Sequence, residues 1–224
     1  MYMLYCLDGS RATAAHMVLA EAGLPYEKRA VDITADEHQS SWFLSINPRG
    51  TIPVLVDDHG CVVCETIAIM VYLCDRHSVE HLAPGPTDPQ RGVMLDWLAY
   101  HATEVQEPVK RSFYAHRYTL RAGDTEVIRR RAGDLFTQRW ALVEDHLAQA
   151  GPYHLGERFS LPDIYLLVTS TYSQYLAPGE FPATVECIRR TASGTRTAPI
   201  MPHHLRGLDR IPAAGVAPCN GVSM

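Results

Sequence analysis

The sequence predicts two unlike halves, an α/β layer over residues 1–78 and an all-helical unit over residues 89–190. Three observations carry this. Apolar runs of strand length alternate with segments of helical periodicity as far as residue 76, and not beyond. Residues 79–88, with Pro84, Gly85 and Pro86, then read as a linker. After the linker, apolar residues recur at helical spacing and no run has strand character.

The first half opens on YMLYC, residues 2–6, a strand that Asp8-Gly9-Ser10 breaks. Ala12, Ala15, Val18, Leu19 and Ala22 then mark one face of a helix that Gly23 stops. Residues 27–32 form a second strand with Val31 as its main apolar residue, and residues 38–46 a short helix before Asn47-Pro48. Pro53-Val-Leu-Val56 is a buried strand, Asp58-His59-Gly60 a turn, and Cys61-Val-Val-Cys64 the next strand. Glu65 to Arg76 is a helix with Ile67, Ala68, Met70, Val71 and Leu73 apolar. The order β-α-β-α-β-β-α matches a thioredoxin-like domain with a mixed four-stranded sheet.

In the second half, residues 89–118 predict a long helix that Pro108 kinks or breaks. Residues 125–149 predict another, with Ile128, Ala132, Leu135, Leu142 and Leu147 near helical spacing. Ser160-Leu-Pro-Asp163 is a helix start: Ser160 caps, Asp163 bonds back to it, and Pro162 is tolerated in the first turn. Residues 191–224 are rich in Thr, Pro, Gly and Ala with little periodicity, and predict an irregular tail.

The formal net charge of the 224 residues is -5, and no basic run stands out, which argues against a nucleic-acid partner. The N-terminus lacks a charged region ahead of an apolar stretch, and no run approaches the ~18 apolar residues of a membrane span, so a soluble cytoplasmic protein with no membrane partner is expected. Six cysteines in such a compartment are expected to be reduced. Cys61-x-x-Cys64 has redox or zinc spacing but no second pair, and reads as part of a strand. His77 and His81 flank a helix end without a third ligand, and His203-His204 lie in the tail; no metal site is read. There is no glycine-rich phosphate loop and no Gly-x-Ser-x-Gly elbow.

Three local signatures coincide. Asn47-Pro48-x-Gly50 precedes Ile52-Pro53-x-Leu55; Glu65-Thr66-x-Ala68-Ile69 opens a helix; and Gly156-x-x-Phe159-Ser160-x-x-Asp163 lies in the helical half. In this order and spacing they resemble the cytosolic glutathione transferases, of the serine-type, bacterial or plant-like kind, over about residues 1–175. The resemblance implies a glutathione-binding first domain and a helical second-substrate domain. It implies a cis Ile52-Pro53 bond, Ile52 offering its backbone N–H and C=O to the cysteinyl unit of glutathione, with an ordinary trans proline at a strand edge as the other reading. Glu65 and Thr66 would meet the γ-glutamyl end at a helix N-terminus, where unpaired N–H groups favour a carboxylate; a simple capping pair is the other reading. His38 and Gln39 fall where several classes hold the glycyl carboxylate, though a solvated helix surface would look the same. Thr51 departs from the Gln, Lys or Arg of many relatives.

The chemistry needs a thiolate, and a free thiol is mostly protonated at neutral pH. Ser10, at the first strand-to-helix turn, is the hydroxyl assigned to stabilise it; a plain cap is the alternative. Arg11 beside it adds positive potential or is merely solvated. Tyr2, Tyr5 and Cys6 come too early in the strand, and Asp8-Gly9-Ser10-Arg11 has no cysteine for a dithiol mechanism. The aromatic-rich stretch Tyr100, His101, Phe113, Tyr114, His116 and Tyr118 offers packing, with some members available to line an apolar pocket. The expected reaction is attack of the glutathione thiolate on a small apolar electrophile, with glutathione as co-substrate, no metal, and a homodimer as the assembly. Peroxidase or isomerase chemistry on the same scaffold, or a catalytically weak binding or regulatory protein, are the alternatives.

Overall fold

The computed structural model describes residues 1–171 and 181–204. Strand β1 (Tyr2–Cys6) leads into helix α1 (Ala12–Glu21), strand β2 (Tyr26–Ala30), a 3-10 turn (Glu37–Gln39), helix α2 (Ser41–Leu44), strands β3 (Val54–Val56) and β4 (Val62–Cys64), and helix α3 (Thr66–His77). The sheet order is β2-β1-β3-β4. β1 runs parallel to β2, pairing Tyr2 with Tyr26 and Cys6 with Ala30, and antiparallel to β3, pairing Leu4 with Leu55. β3 and β4 form the closing antiparallel hairpin. The sheet is thus mixed and four-stranded, as the order of runs predicts. The short helix expected over residues 38–46 is split, because Ser40 is extended (φ −67°, ψ 152°) between the 3-10 turn and α2.

α1 is apolar nearly all round, the mark of a helix with no solvent face. All residues from Ala12 to Leu19 are buried. It packs on α3 on one side and on the helical half on the other.

The second half contains α4 (Gln90–Tyr100), a π-helical turn (His101–Val105), α5 (Gln106–Phe113), 3-10 turns at Ala115–Arg117 and Ala122–Asp124, α6 (Thr125–Ala150), α7 (Leu161–Ser170), α8 (Pro182–Ala192) and the short α9 (Met201–His204). Pro108 neither ends nor splits α5; the irregularity lies one turn upstream, in the π turn. Proline has no N–H to give and its ring crowds the carbonyl four residues back. A wider turn through His101–Val105 relieves both constraints without ending the helix. The buried stripe of α6 is Ala132, Phe136, Trp140, Val143 and Leu147. It differs from the predicted stripe: Leu135 is half-buried and Leu142 is exposed, so those two leucines lie off the core face.

Two segments bear on the domain boundaries, and the second corrects an expectation. Val79, Leu82 and Ala83 of the linker are buried, and Leu82 O accepts from Leu161 N at 3.0 Å, so this segment is packed between the halves. The start of the expected irregular tail is ordered: α8 runs to Ala192, and Thr197, Ile200 and Met201 are buried. Arg196 donates to the carbonyl of Glu21 at the end of α1. Cys219 and residues 205–224 lie outside the described residues. The five described cysteines are free: Cys6, Cys74 and Cys187 buried, Cys64 half-buried and Cys61 exposed.

α7 begins at the predicted capping box, with Ser160 and Asp163 satisfying each other's orphan groups. Asp163 does more than cap. Its Oδ2 accepts from Ser160 N (2.8 Å) and Ser160 Oγ (3.0 Å). Its Oδ1 accepts from His154 N (2.9 Å), His154 Nδ1 (2.7 Å) and the Cys187 thiol (3.5 Å). His154 Nε2 lies 2.9 Å from His101 Nε2. These bonds fix the tautomers. A carboxylate can only accept, so His154 carries its proton on Nδ1 and presents a bare Nε2. His101 must then donate through Nε2, which leaves its Nδ1 as a bare acceptor, and that buried atom has no partner among the described residues. Burial, then the neighbouring His154 and His146 imidazoles, hold His101 well below its usual pKa and keep it neutral. Burial and the Asp163 carboxylate push the Cys187 thiol far up. Nothing in the local sequence flags this cluster, although its imidazole, carboxylate and thiol are of metal-binding type and lie within 4.8 Å of one another.

Candidate functional site

Three segments of the first domain converge by way of tightly clamped backbone. Asn47 is 2% exposed; its Nδ2 donates to Thr51 O at 2.7 Å and its Oδ1 accepts from Arg49 N at 3.1 Å. Gly50 has φ 60°, and a Cβ there would lie 2.5 Å from Gln39 Nε2 and 3.2 Å from His38 O. Glycine therefore lets the 47–51 loop close on the 3-10 turn that carries His38 and Gln39. His38 is half-buried, and its enclosed Nδ1 is unpaired among the described residues. Ile52-Pro53 is a cis peptide. Among the described residues, neither the N–H nor the C=O of Ile52 has a hydrogen-bond partner.

Glu65, between β4 and α3, has φ 70° and ψ 126°. A non-glycine residue held there costs on the order of 1–3 kcal/mol and persists only where the surroundings enforce it. Its carboxylate is in solvent, 3.5 Å from Arg49, a pair too exposed to contribute much stability. Thr66 is 3% exposed, and its buried Oγ1 has no partner among the described residues. It opens α3, whose first N–H groups have no acceptor within the helix.

Ser10 is half-buried at the turn before α1. Its Oγ accepts from Ala12 N at 3.2 Å, and its carbonyl accepts from Thr13 N at 3.0 Å and Thr13 Oγ1 at 2.7 Å. Ser10 is therefore a cap. A hydroxyl both accepts and donates, so capping leaves its proton for another acceptor. The strand residues set aside in the sequence are committed elsewhere: Tyr2 OH bonds His77 Nε2 at 2.7 Å, and burial raises the Cys6 thiol to about 11.

The helical half reaches this turn. Arg11 is half-buried and meets Gln106, at the start of α5, and Tyr165, within α7. Gln106 and Tyr165 are both buried. Neither is marked in the sequence, where Gln106 sits in a polar run and Tyr165 in an apolar one. Of the aromatic-rich stretch, His101 belongs to the buried cluster and Tyr100 OH donates to Arg139 O at 3.0 Å. Phe113, Tyr114 and Tyr118 are exposed, and Arg117 and Arg111 stack on the two tyrosines.

A thioredoxin-like layer with a mixed four-stranded sheet, followed by a helical region, matches glutathione transferase structures. Residues 2–75 match the family model described as the glutathione S-transferase N-terminal domain. Glutathione S-transferase D6 of Drosophila melanogaster is 29% identical over 168 residues, 74% of each chain. Glutathione S-transferase GstA of Escherichia coli O157:H7 is 28% identical over 170 residues, 73% of this chain and 78% of the relative. The crystal structure of a Sulfitobacter glutathione transferase homolog with bound glutathione superposes with a TM-score of 0.82 at 25% identity, covering 90% of this chain and 97% of that one. A glutathione transferase from Methylococcus capsulatus gives 0.79 at 29% identity, covering 90% and 98%. Residues 2–75 thus match a glutathione S-transferase N-terminal domain, and the relatives and solved neighbours that span both halves are named glutathione S-transferases or glutathione transferases. Among the described residues, no helix is long and apolar enough to cross a membrane.

Proposed function

We propose that this protein is a cytoplasmic glutathione transferase that binds glutathione on residues 1–78 and attacks a small apolar electrophile held against the helical domain. One observation carries the proposal: among the described residues, the Ile52 backbone and the buried Thr66 Oγ1 are left unpaired at a cis-proline loop and a helix N-terminus. A buried hydroxyl without a partner is rare, and with the open backbone of half-buried Ile52 it supplies donors and acceptors of the kind a short peptide needs. Ile52, with Pro53 fixing the turn, pairs with the cysteinyl unit. Thr66 and the first N–H groups of α3 take the γ-glutamyl carboxylate, and Glu65 takes the ammonium. His38 and Gln39 take the glycyl carboxylate, with the enclosed Nδ1 of His38 as supporting observation. Ser10 donates to the sulfur. No metal takes part in this scheme. The decisive experiment is calorimetric titration with glutathione followed by an electrophile screen; no binding at millimolar glutathione would overturn the proposal, and binding without turnover on any electrophile would reduce it to a binding protein.

Thr66→Ala is expected to weaken glutathione binding by roughly 1–2 kcal/mol, the scale of a charge-assisted hydrogen bond. Glu65→Ala should weaken it as well, by removing the partner of the ammonium. Unchanged affinity in both variants would reduce the start of α3 to a cap. The assembly follows the family as a homodimer; light scattering at micromolar concentration should give twice the 24.9 kDa chain mass, and a monomer there would contradict it.

A further inference from the structure

We infer that the helical domain sets Arg11 beside Ser10, through Gln106 and Tyr165, so that the Arg11 guanidinium stabilises the sulfur anion of bound glutathione. The inference rests on the glutathione site proposed above and adds a residue and a coupling that its motifs do not contain.

Four observations converge. First, Arg11 follows Ser10 directly and stands at the first turn of α1, where the helix already presents positive potential. Second, its partners are neutral. Arginine can only donate, so Gln106 must turn its amide oxygen toward it, and that orientation places the oxygen 3.0 Å from Arg11 Nε and 3.3 Å from Nη1. The Gln106 amide nitrogen then donates to Tyr165 OH at 2.6 Å. Third, the clamp is rigid: Gln106 is 6% exposed and Tyr165 2%, and the tyrosine sits on the wholly buried α7. Fourth, the π turn His101–Val105 ends where Gln106 begins, and such turns are frequent at functional sites.

Among the described residues, the charge of Arg11 is left without a counter-ion. Among the described residues no carboxylate forms an ion pair with it; the Glu65 carboxylate, close enough to act on Tyr165, pairs with Arg49 instead. A half-buried cation held by neutral groups favours an anion brought to it. The anion that arises next to Ser10 in the proposed chemistry is the thiolate, formed when the glutathione S–H bond breaks and its proton passes to bulk water. Nε and Nη1 are engaged by Gln106, and the fork still has donors to spare. Ser10 thus contributes a directed hydrogen bond and Arg11 a fixed charge. Gln106 and Tyr165 are positioning residues that act through Arg11, which makes thiol ionisation a property of both domains.

The test is the pH titration of thiolate absorbance for glutathione bound to the full-length chain. Arg11→Gln should move the transition up by about one pH unit, a ~10-fold smaller thiolate fraction near neutral pH. Gln106→Leu and Tyr165→Phe should move it part of the way, and Arg11→Lys should restore most of it. Turnover near neutral pH should fall in proportion and recover when the pH is raised by the same amount, which a merely structural defect would not do. Should Gln106→Leu fail to fold, Arg11→Gln and Tyr165→Phe carry the same expectation. Normal glutathione affinity with an unshifted titration in Arg11→Gln would overturn this inference alone. No glutathione binding by the wild-type chain would overturn the proposed site and this inference with it.

Discussion

Ser10→Ala is expected to lower turnover roughly 10–1000-fold while leaving glutathione affinity little changed, because a donor aimed at a developing charge acts on the ionised form and not on the rest of the ligand. Ser10 stands at the turn before a helix buried from Ala12 to Leu19, its oxygen already fixed by the Ala12 N–H. That bond orients the hydroxyl without using its proton. Removing the hydroxyl should leave glutathione bound but less ionised, so the thiolate transition should shift to higher pH. Alanine also removes a cap, at a cost near ~1 kcal/mol, so stability must be measured alongside. Ser10→Gly separates the two effects, because glycine caps nearly as well and has no hydroxyl. Both variants should lose turnover, and only alanine should lose much stability. Full activity with an unmoved pH profile in Ser10→Gly would leave Ser10 as a cap and pass the role to Arg11 and the N–H groups of α1.

The largest expected effect on stability is at Asp163. Its carboxylate accepts from two backbone N–H groups, the Ser160 hydroxyl, the His154 imidazole and the Cys187 thiol, all buried. Asp163→Ala orphans these donors together and is expected to cost about 3–5 kcal/mol, the range for breaking a buried charged network. For a chain of this size that lowers the melting temperature by on the order of 10 °C. A loss below ~1 kcal/mol by chemical denaturation would contradict it. The same cluster gives a pH dependence. His101 is held below its usual 6.5 by burial and by the His154 and His146 imidazoles, so the unfolded chain binds a proton more readily than the native one. Its contribution to stability is therefore present above about pH 6.5 and lost as pH falls through and below that value. His101→Gln, which keeps an amide donor for His154 but cannot titrate, should flatten the acid limb of the stability curve; an identical limb would exclude His101 as its source.

The first domain was largely legible because its signals are local. Gly23, Asn47-Pro48, Asp58-His59-Gly60 and Glu65-Thr66 punctuate short runs, and each strand or helix follows from a few neighbouring residues. The capping box was legible for the same reason: its two partners are three residues apart. What escaped depends on distant pairs. His101 and His154 are 53 residues apart in sequence, and Gln106 and Tyr165 are 59 apart. No window of sequence contains either pair, and each residue alone has an ordinary explanation. The face of α6 was misassigned because Leu135 and Leu142 are as apolar as the core residues beside them, and only the position of α5 and α8 decides which side is inward. At the candidate site, the cis-proline loop and the start of α3 carry local motifs, whereas the anchoring of Arg11 is visible only once the two halves are folded together.

One hydrophobic cluster runs without a break from β1 and α1 through α3 and the linker into α4, α6, α7 and α8. The boundary between the halves is therefore topological and not energetic: the chain changes architecture at residues 79–88, but its core does not divide there. Residues 1–78 cut from the rest would bare the surface of α1 that α7 now covers, a patch broad enough to invite aggregation. In evolutionary terms the halves are poor candidates for shuffling. A helical domain borrowed from a relative would have to bring the matching relief for α1 as well as its own substrate pocket, so changes in what the second half accepts are constrained to side chains that leave that shared seam intact.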